Sequence, residues 1–135
     1  LDSSSHSVDG IDISAVATGN FMFEACCVVK DKIVGLPFNA NDLLVFDAKA
    51  RKLDSVSIAS IGRGSSCYDT ACVIDNKIIG LPYLGHRVII FDPFTQELDS
   101  LDLNSAIRRP CKFEAACVVD DSVIGISYFT NDILI

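Results

Sequence analysis

Tryptophan is absent from this 135-residue sequence, and methionine and histidine are rare, with one and two residues. The six cysteines form no C-x-x-C pair, so the usual ligand spacing of a zinc site is missing. The sequence also lacks a G-x-S-x-G elbow, an H-E-x-x-H motif and a P-loop. These absences predict a protein that is not an enzyme and that uses no cofactor or metal.

Basic residues are scarce as well, with 11 Lys and Arg against 18 Asp and Glu and a net charge of −7. A nucleic-acid surface needs clustered Lys and Arg, so no nucleic-acid partner is expected. The longest apolar runs, such as residues 43–46 and 88–91, fall far short of the roughly 20 residues of a membrane span. The sequence starts at Leu1 without a signal-peptide pattern, which fits a fragment or a processed product and leaves the compartment unassigned.

What the sequence does contain is a gapless repeat of 45 residues. Residues 23–29 match 68–74 and 113–119, and residues 32–38 match 77–83 and 122–128. The register continues through 43–47, 88–92 and 133–135, and a last block at 53–58 matches 98–103 and 8–13. Each repeat unit is therefore a series of four apolar blocks of strand length.

The breaks between these blocks and their polarity predict β-strands. Asp or Asn, which tolerate the positive φ of tight hairpins, occurs in the first break at residues 30–31, 75–76 and 120–121. The first three blocks are nearly continuous apolar runs, typical of strands buried on both faces, whereas the fourth alternates polar and apolar residues. Buried inner strands and a wetter outer strand are typical of a propeller blade.

The motifs Lys77-Ile-Ile-Gly-Leu-Pro-Tyr83 and Val88-Ile-Ile-Phe-Asp-Pro93 resemble the kelch-like repeats of β-propellers, and the resemblance covers essentially the whole chain. The double glycine and tryptophan of true kelch repeats and the Trp-Asp pair of WD40 blades are absent. The resemblance implies an all-β fold with three four-stranded antiparallel blades in a single domain over residues 1–135. The first three strands of the blades are expected within 23–47, 68–92 and 113–135, and the outer strands at 8–13, 53–58 and 98–103.

Three blades are too few to close a propeller, which typically has four to eight. The first and last blades would each present an uncovered apolar face, and such faces mark interfaces. The simplest closed arrangement is a two-fold dimer with six blades, so the chain itself is the expected partner. In that dimer, residues 8–13 of one chain supply a fourth strand to the third blade of the other. The alternative is a longer tandem array, in which neighbouring blades of one chain are the partners.

The expected function is that of a non-catalytic binding or scaffold module that assembles with itself. The alternative is a lectin-like propeller that binds a carbohydrate or small ligand in one pocket per blade. Aromatic residues at equivalent positions favour it, although they also serve packing: Phe38, Tyr83 and Tyr128. Specificity for a protein or glycan would lie in loop residues that break the repeat, namely Asn39, Asn41, His86, Arg87 and Asn131. An enzyme would instead need non-repeating polar residues that converge at the channel mouth.

Three acids recur on the expected innermost strand, and these are Glu24, Asp69 and Glu114. They are either carboxylates at a channel mouth that attract a cation, or acids that bond to backbone and solvent. Three glycines recur in the second block, where a glycine admits the close approach of a neighbouring strand: Gly35, Gly80 and Gly125. The recurring Asp47 and Asp92 are expected to cap turns.

The cysteines divide into two groups. Cys27, Cys72 and Cys117 recur at one repeat position, as expected for small buried hydrophobic residues. The others break the repeat, and they are Cys26, Cys67 and Cys111. For Cys67 and Cys111, which precede adjacent blades, a disulfide is the alternative to free thiols.

Overall fold

The computed structural model describes residues 8–61, 68–105, 107, 113–128, 131 and 133–135, and these form an all-β fold of three antiparallel sheets. Sheet 1 consists of β1 (Phe23–Val29), β2 (Lys32–Pro37), β3 (Asp42–Asp47) and β4 (Lys52–Ser57). Sheet 2 consists of β5 (Tyr68–Ile74), β6 (Lys77–Pro82), β7 (Arg87–Phe91) and β8 (Leu98–Asp102). Sheet 3 consists of β9 (Phe113–Val119), β10 (Ser122–Ser127) and β11 (Ile133–Leu134).

The 45-residue repeat is preserved in the pairing register of the strands. Cys26 lies opposite Gly35 in sheet 1, and the equivalent pairs in sheets 2 and 3 lie 45 and 90 residues further on. The first hairpin of each sheet turns through two residues, and the first of these has positive φ: Lys30, Asp75 and Asp120. Asn76 also has positive φ, so the turn in sheet 2 has the type I′ signature that suits the twist of a hairpin.

The three sheets pack face to face in chain order. Their first strands lie next to one another, with β5 between β1 and β9. One apolar core lies between sheets 1 and 2 and a second between sheets 2 and 3. No polar or charged side chain is fully buried within the described ranges, so both cores are held by apolar contact and dispersion.

The single chain departs from the sequence prediction at residues 8–13, where no outer strand forms. These residues are coil, and a turn follows them at 14–16. They pair with no strand of the described chain. Sheet 3 likewise has three strands rather than four among the residues that the structure describes. The same residues include no helix that is long and apolar enough to cross a membrane.

Candidate functional site

One face of each sheet carries the same apolar positions, and we call it the forward face. In sheet 1 it consists of Cys27, Val29, Val34, Leu36, Leu43 and Val45, all buried in the core shared with sheet 2. In sheet 2 the equivalent residues are Cys72, Ile74, Ile79, Leu81, Val88 and Ile90, which belong to the core shared with sheet 3. In sheet 3 they are Cys117, Val119, Ile124, Ile126, Ile133 and Ile135.

The forward face of sheet 3 is exposed, although its residues are as apolar as those of the other two sheets. Leu36 and Leu81 are 0% exposed, whereas Ile126 at the equivalent position is 52% exposed. Val119 and Ile133 are 54% and 63% exposed. A contiguous exposed apolar patch of this kind is typical of an interaction surface.

The opposite face of sheet 1, which we call the rear face, is the second uncovered surface. In sheet 2, the rear face is buried against sheet 1 through Tyr68, Ile78, Ile89 and Phe91. The equivalent residues of sheet 1 are only half-buried, and they are Phe23, Ile33, Leu44 and Phe46. Val28 on the same face is 60% exposed, whereas Val73 at the equivalent position of sheet 2 packs against the core.

Glycines form notches in the rear faces that receive side chains from the preceding sheet. A Cβ built on Gly125 would lie 2.6 Å from Leu81 Cδ1, and one built on Gly80 would overlap Leu36 Cδ2. At Gly35, the nearest atoms to such a Cβ belong instead to Phe23 and Leu44 of its own sheet. The notch of sheet 1 therefore lacks the inserted side chain that fills the other two.

The recurring cysteines follow the same progression from buried to exposed. Burial raises the pKa of the Cys27 thiol to about 11, and the neighbouring Cys72 thiol adds to this effect. Burial also raises the pKa of Cys72, whereas Cys117 is exposed. Cys26, Cys27, Cys72 and Cys117 are free thiols. Cys67 and Cys111, the two halves of the alternative disulfide, lie outside the described residues.

The aromatic residues proposed for a ligand pocket lie at the end of the second strand. The rings of Phe38 and Tyr83 contact each other between sheets 1 and 2, with centroids 6.3 Å apart and planes tilted by 39°. Tyr128, the third member, is 61% exposed. A contact between two members of the set favours packing between sheets, and the lectin-like alternative stays a prediction.

The predicted loop residues are distributed over the three sheets rather than gathered in one pocket. Asn39 Nδ2 donates a hydrogen bond to the Asn20 carbonyl at 3.3 Å. The Asn41 and His86 carbonyls occupy equivalent positions and accept hydrogen bonds from Ile58 and Leu103. Asn131, at the same position of the third repeat, is exposed.

His86 and Arg87 lie at the start of β7. Arg87 donates to Ser100 Oγ at 3.1 Å and forms an ion pair with Asp102 at 3.6 Å. Its carbonyl accepts a 3.1 Å hydrogen bond from the Tyr68 hydroxyl. His86 Nδ1 is buried and has no hydrogen-bond partner among the residues that the structure describes. The contacts of Arg87 join β7 to β5 and β8.

The recurring acids are exposed at Glu24 and Glu114 and partly buried at Asp69. Within the described ranges, no group of three or more His, Cys, Asp or Glu side chains is placed to hold a metal ion. The ring of carboxylates that a closed assembly would create therefore stays a prediction. The turn-capping interpretation is confirmed at Asp47 and Asp92, which accept hydrogen bonds from the backbone of Ala50 and Phe94.

Sequence reasoning did not anticipate a groove of about 530 Å³ between the outer parts of sheets 2 and 3. Its walls include Leu81, Ile90, Leu101, Leu103 and Leu134. The corresponding space between sheets 1 and 2 holds Phe91 of β7 and Leu98 of β8. The groove is therefore equivalent in position to the space that these two side chains fill between sheets 1 and 2.

No model of a known protein family matches the chain, and no curated protein gives a significant match. The chain is similar to the solved extracellular domain of the hybrid two component system BT4673 from B. thetaiotaomicron, with a TM-score of 0.67 and 12% identity over 93% of the chain. A second structure, of the extracellular domain of the one component system BT4673, gives a TM-score of 0.64 and 11% identity over 90% of the chain. The chain spans only 18% and 17% of those two solved chains, and at this identity the likeness shows the fold alone.

Proposed function

We propose that this chain is a non-catalytic β-propeller module that assembles with itself as a binding or scaffold unit. Two copies form a six-bladed ring, in which the forward face of sheet 3 in each copy packs on the rear face of sheet 1 in the other. The arrangement is two-fold symmetric and leaves no sheet face uncovered.

The main support for this proposal is that two equivalent interfaces occur inside the chain, one between sheets 1 and 2 and one between sheets 2 and 3. The forward faces of sheets 1 and 2 are each buried against the rear face of the following sheet. The two surfaces left over are one forward face and one rear face, so they are complementary in the same way. Ile126 is equivalent to Leu36 and Leu81, and in the assembly it fills the notch at Gly35 as they fill those at Gly80 and Gly125.

The first experiment is light scattering after size exclusion. A discrete species with twice the mass of one chain is expected. A monomer at tens of micromolar would overturn the proposal, and open-ended polymers would overturn ring closure, because head-to-tail contacts that do not close produce fibres.

Two substitutions test which faces meet. Ile126→Asp places a charge on the forward face of sheet 3, and Val28→Asp places one on the rear face of sheet 1. Each variant alone should be monomeric, because both interfaces of its dimer contain a buried unpaired charge. An equimolar mixture should recover a dimer, because each mixed pair retains one intact interface.

The matched control is Leu84→Asp, which adds the same charge at a turn residue that is 50% exposed and lies on neither face. It should leave the dimer intact. If Val28→Asp alone still formed a dimer, the forward faces of sheet 3 would be packing on each other, and the proposed head-to-tail contact would be wrong.

A further inference from the structure

Residues 8–13 are coil, but two local hydrogen bonds in and after them match those in and after the fourth strands of sheets 1 and 2. Asp9 Oδ1 accepts a hydrogen bond from the next amide at 3.0 Å, as Asp54 and Asp99 do at 2.9 and 2.7 Å at equivalent positions of β4 and β8. After the segment, the Val16 amide donates to the Ile13 carbonyl at 2.8 Å. The same bond follows β4, from Ile61 to Ile58 at 3.1 Å.

The segment also lies where the fourth strand of a preceding sheet would lie. Asp54 of β4 contacts Gln96 in the β7–β8 turn of the following sheet, with 3.3 Å between Oδ2 and Nε2. Asp9 forms the equivalent contact with Arg51 in the β3–β4 turn, 45 residues earlier at both ends. Arg51 and Gln96 also share a positive φ, of 52° and 60°. The segment therefore contacts sheet 1 at the position where β4 contacts sheet 2.

Sheet 3 has an unpaired strand edge and an apolar groove that this segment would fill. The outer edge of β11 pairs with no strand of the described chain, and the groove beside it is lined by apolar side chains. In the assembly proposed above, sheet 3 of a second copy is the sheet that precedes sheet 1. Residues 8–13 of one copy and the unpaired edge of β11 in the other copy thus meet across that interface. Within one chain, sheet 2 separates them.

We propose that residues 8–13 of each copy pair antiparallel with β11 of the other copy as the fourth strand of its sheet 3. The register follows from β3 and β4, in which Leu43, Leu44 and Val45 lie opposite Val56, Ser55 and Asp54. It places Ile133, Leu134 and Ile135 opposite Ile11, Gly10 and Asp9. The inference rests on the proposed self-assembly and adds to it a strand exchanged in both directions.

Burial and hydrogen bonding both favour this exchange. Val8 is 80% exposed and Ile11 is 43% exposed in the single chain. Val8 is equivalent to Leu98, which packs in the core between sheets 1 and 2, so the exchange moves Val8 into the groove. The amides of Ile58 and Leu103 donate to the carbonyls of Asn41 and His86. The corresponding donor and acceptor are the Ile13 amide and the Asn131 carbonyl of the other copy, which gives Asn131 a role.

A photo-crosslink tests the exchange directly. The benzophenone amino acid p-benzoylphenylalanine replaces Gly10, where an added Cβ meets no atom within 4 Å. Isotopically light and heavy chains are mixed, irradiated, digested and analysed by mass spectrometry. Crosslinks between a light residue 10 and heavy residues 133–135, and the reverse, are expected. They should disappear when Ile126→Asp is added to both chains.

A paired substitution measures how much residues 8–13 contribute to the affinity of the dimer. Val8→Asp with Ile11→Asp should raise the dimer dissociation constant by about tenfold or more, because two apolar side chains would no longer be buried. The control, Ala15→Asp with Thr18→Asp, adds the same charge at exposed residues beyond the strand and should change it by less than about twofold.

The outcomes separate this inference from the one on which it rests. A dimer without crosslinks between light and heavy chains, or with crosslinks only inside one chain, would overturn the strand exchange and leave self-assembly standing. A dimer whose affinity responds equally to the paired substitution and to its control would also overturn the exchange. A chain that never dimerises would overturn both.

Discussion

Sheet 2 and sheet 3 are built from matching residues, yet the described residues cover sheet 2 on both faces and sheet 3 on only one. At the central position of the forward face, Leu81 is fully buried and Ile126 is half exposed. The difference arises from the neighbour and not from the residue, since both side chains are large and apolar. The internal repeat therefore provides a comparison within one chain, because exposed apolar residues of sheet 3 such as Ile126 have buried equivalents in sheet 2.

The largest expected effect comes from truncating the two residues of this pair. Leu81→Ala should lower the free energy of unfolding by about 3 kcal/mol, because it leaves a cavity between sheets 2 and 3. Ile126→Ala should cost less than about 1 kcal/mol in dilute solution, where the chain is monomeric, since its side chain is half exposed. Urea unfolding at low protein concentration measures both. Equal losses would mean that sheet 3 is covered within a single chain.

The glycine notches extend the comparison to the other end of the chain. Gly80→Ala should destabilise the monomer by about 1–3 kcal/mol, because its new methyl group meets Leu36 in a packed core. Gly35→Ala meets only Phe23 and Leu44 of its own sheet, so its effect on the monomer should be smaller. In the dimer it should oppose the insertion of Ile126 and weaken association. Unfolding of the monomer and light scattering of the dimer separate these effects.

Much of the fold follows from local features of the sequence. The strands of sheets 1 and 2 begin and end within one or two residues of the apolar blocks, and the hairpin turns carry the positive φ expected at Asp75 and Asn76. These features depend on alternation and turn chemistry, which short stretches of sequence encode. The recurring glycine predicted the close approach of a neighbouring strand at Gly80 and Gly125, whereas the groups that approach are side chains of the preceding sheet, from Leu36 and Leu81.

The candidate site could be predicted only in part, because coverage is a property of neighbouring sheets. The apolar pattern at 8–13 indicates a strand, but a strand also needs a partner edge, and these residues pair with no strand of the described chain. The contact between Asp9 and Arg51 joins positions 42 residues apart in the sequence and has no local signal. The loop residues from 39 to 41 and from 84 to 87 stay predicted specificity determinants, and their contacts include backbone at Asn39 and side chains at Arg87.

Thiol reactivity distinguishes the covered and uncovered faces at one repeat position. With a pKa of about 11, Cys27 holds very little thiolate at pH 8 and should react slowly with iodoacetamide. Cys72 should also be slow because it is buried, whereas Cys117 and Cys26 are exposed and should react first. Labelling of each residue is read by mass spectrometry after digestion. At concentrations where the dimer forms, Cys117 should become as slow as Cys72, and an unchanged rate would contradict coverage of the forward face.

The smallest expected effect concerns the polar rim of sheet 1, where Lys32 Nζ and Asp47 Oδ2 lie 2.7 Å apart. The Ala50 amide and then the Lys32 ammonium lower the pKa of Asp47 below its usual value of 3.8. A carboxylate with a lowered folded-state pKa stabilises the fold above the unfolded value, and that stabilisation is lost as pH falls through the folded value. The melting temperature should therefore decrease as the pH falls below about 4. Asp47→Asn should make this decrease smaller. Lys32→Gln should reduce the decrease by a smaller amount, because the hydrogen bond from Ala50 remains.

The third repeat has Ser122 at the position of Lys32, so this ion pair has no equivalent in sheet 3. An equal response to both substitutions would show that Lys32, and not the turn amide, is the main cause of the lowered pKa.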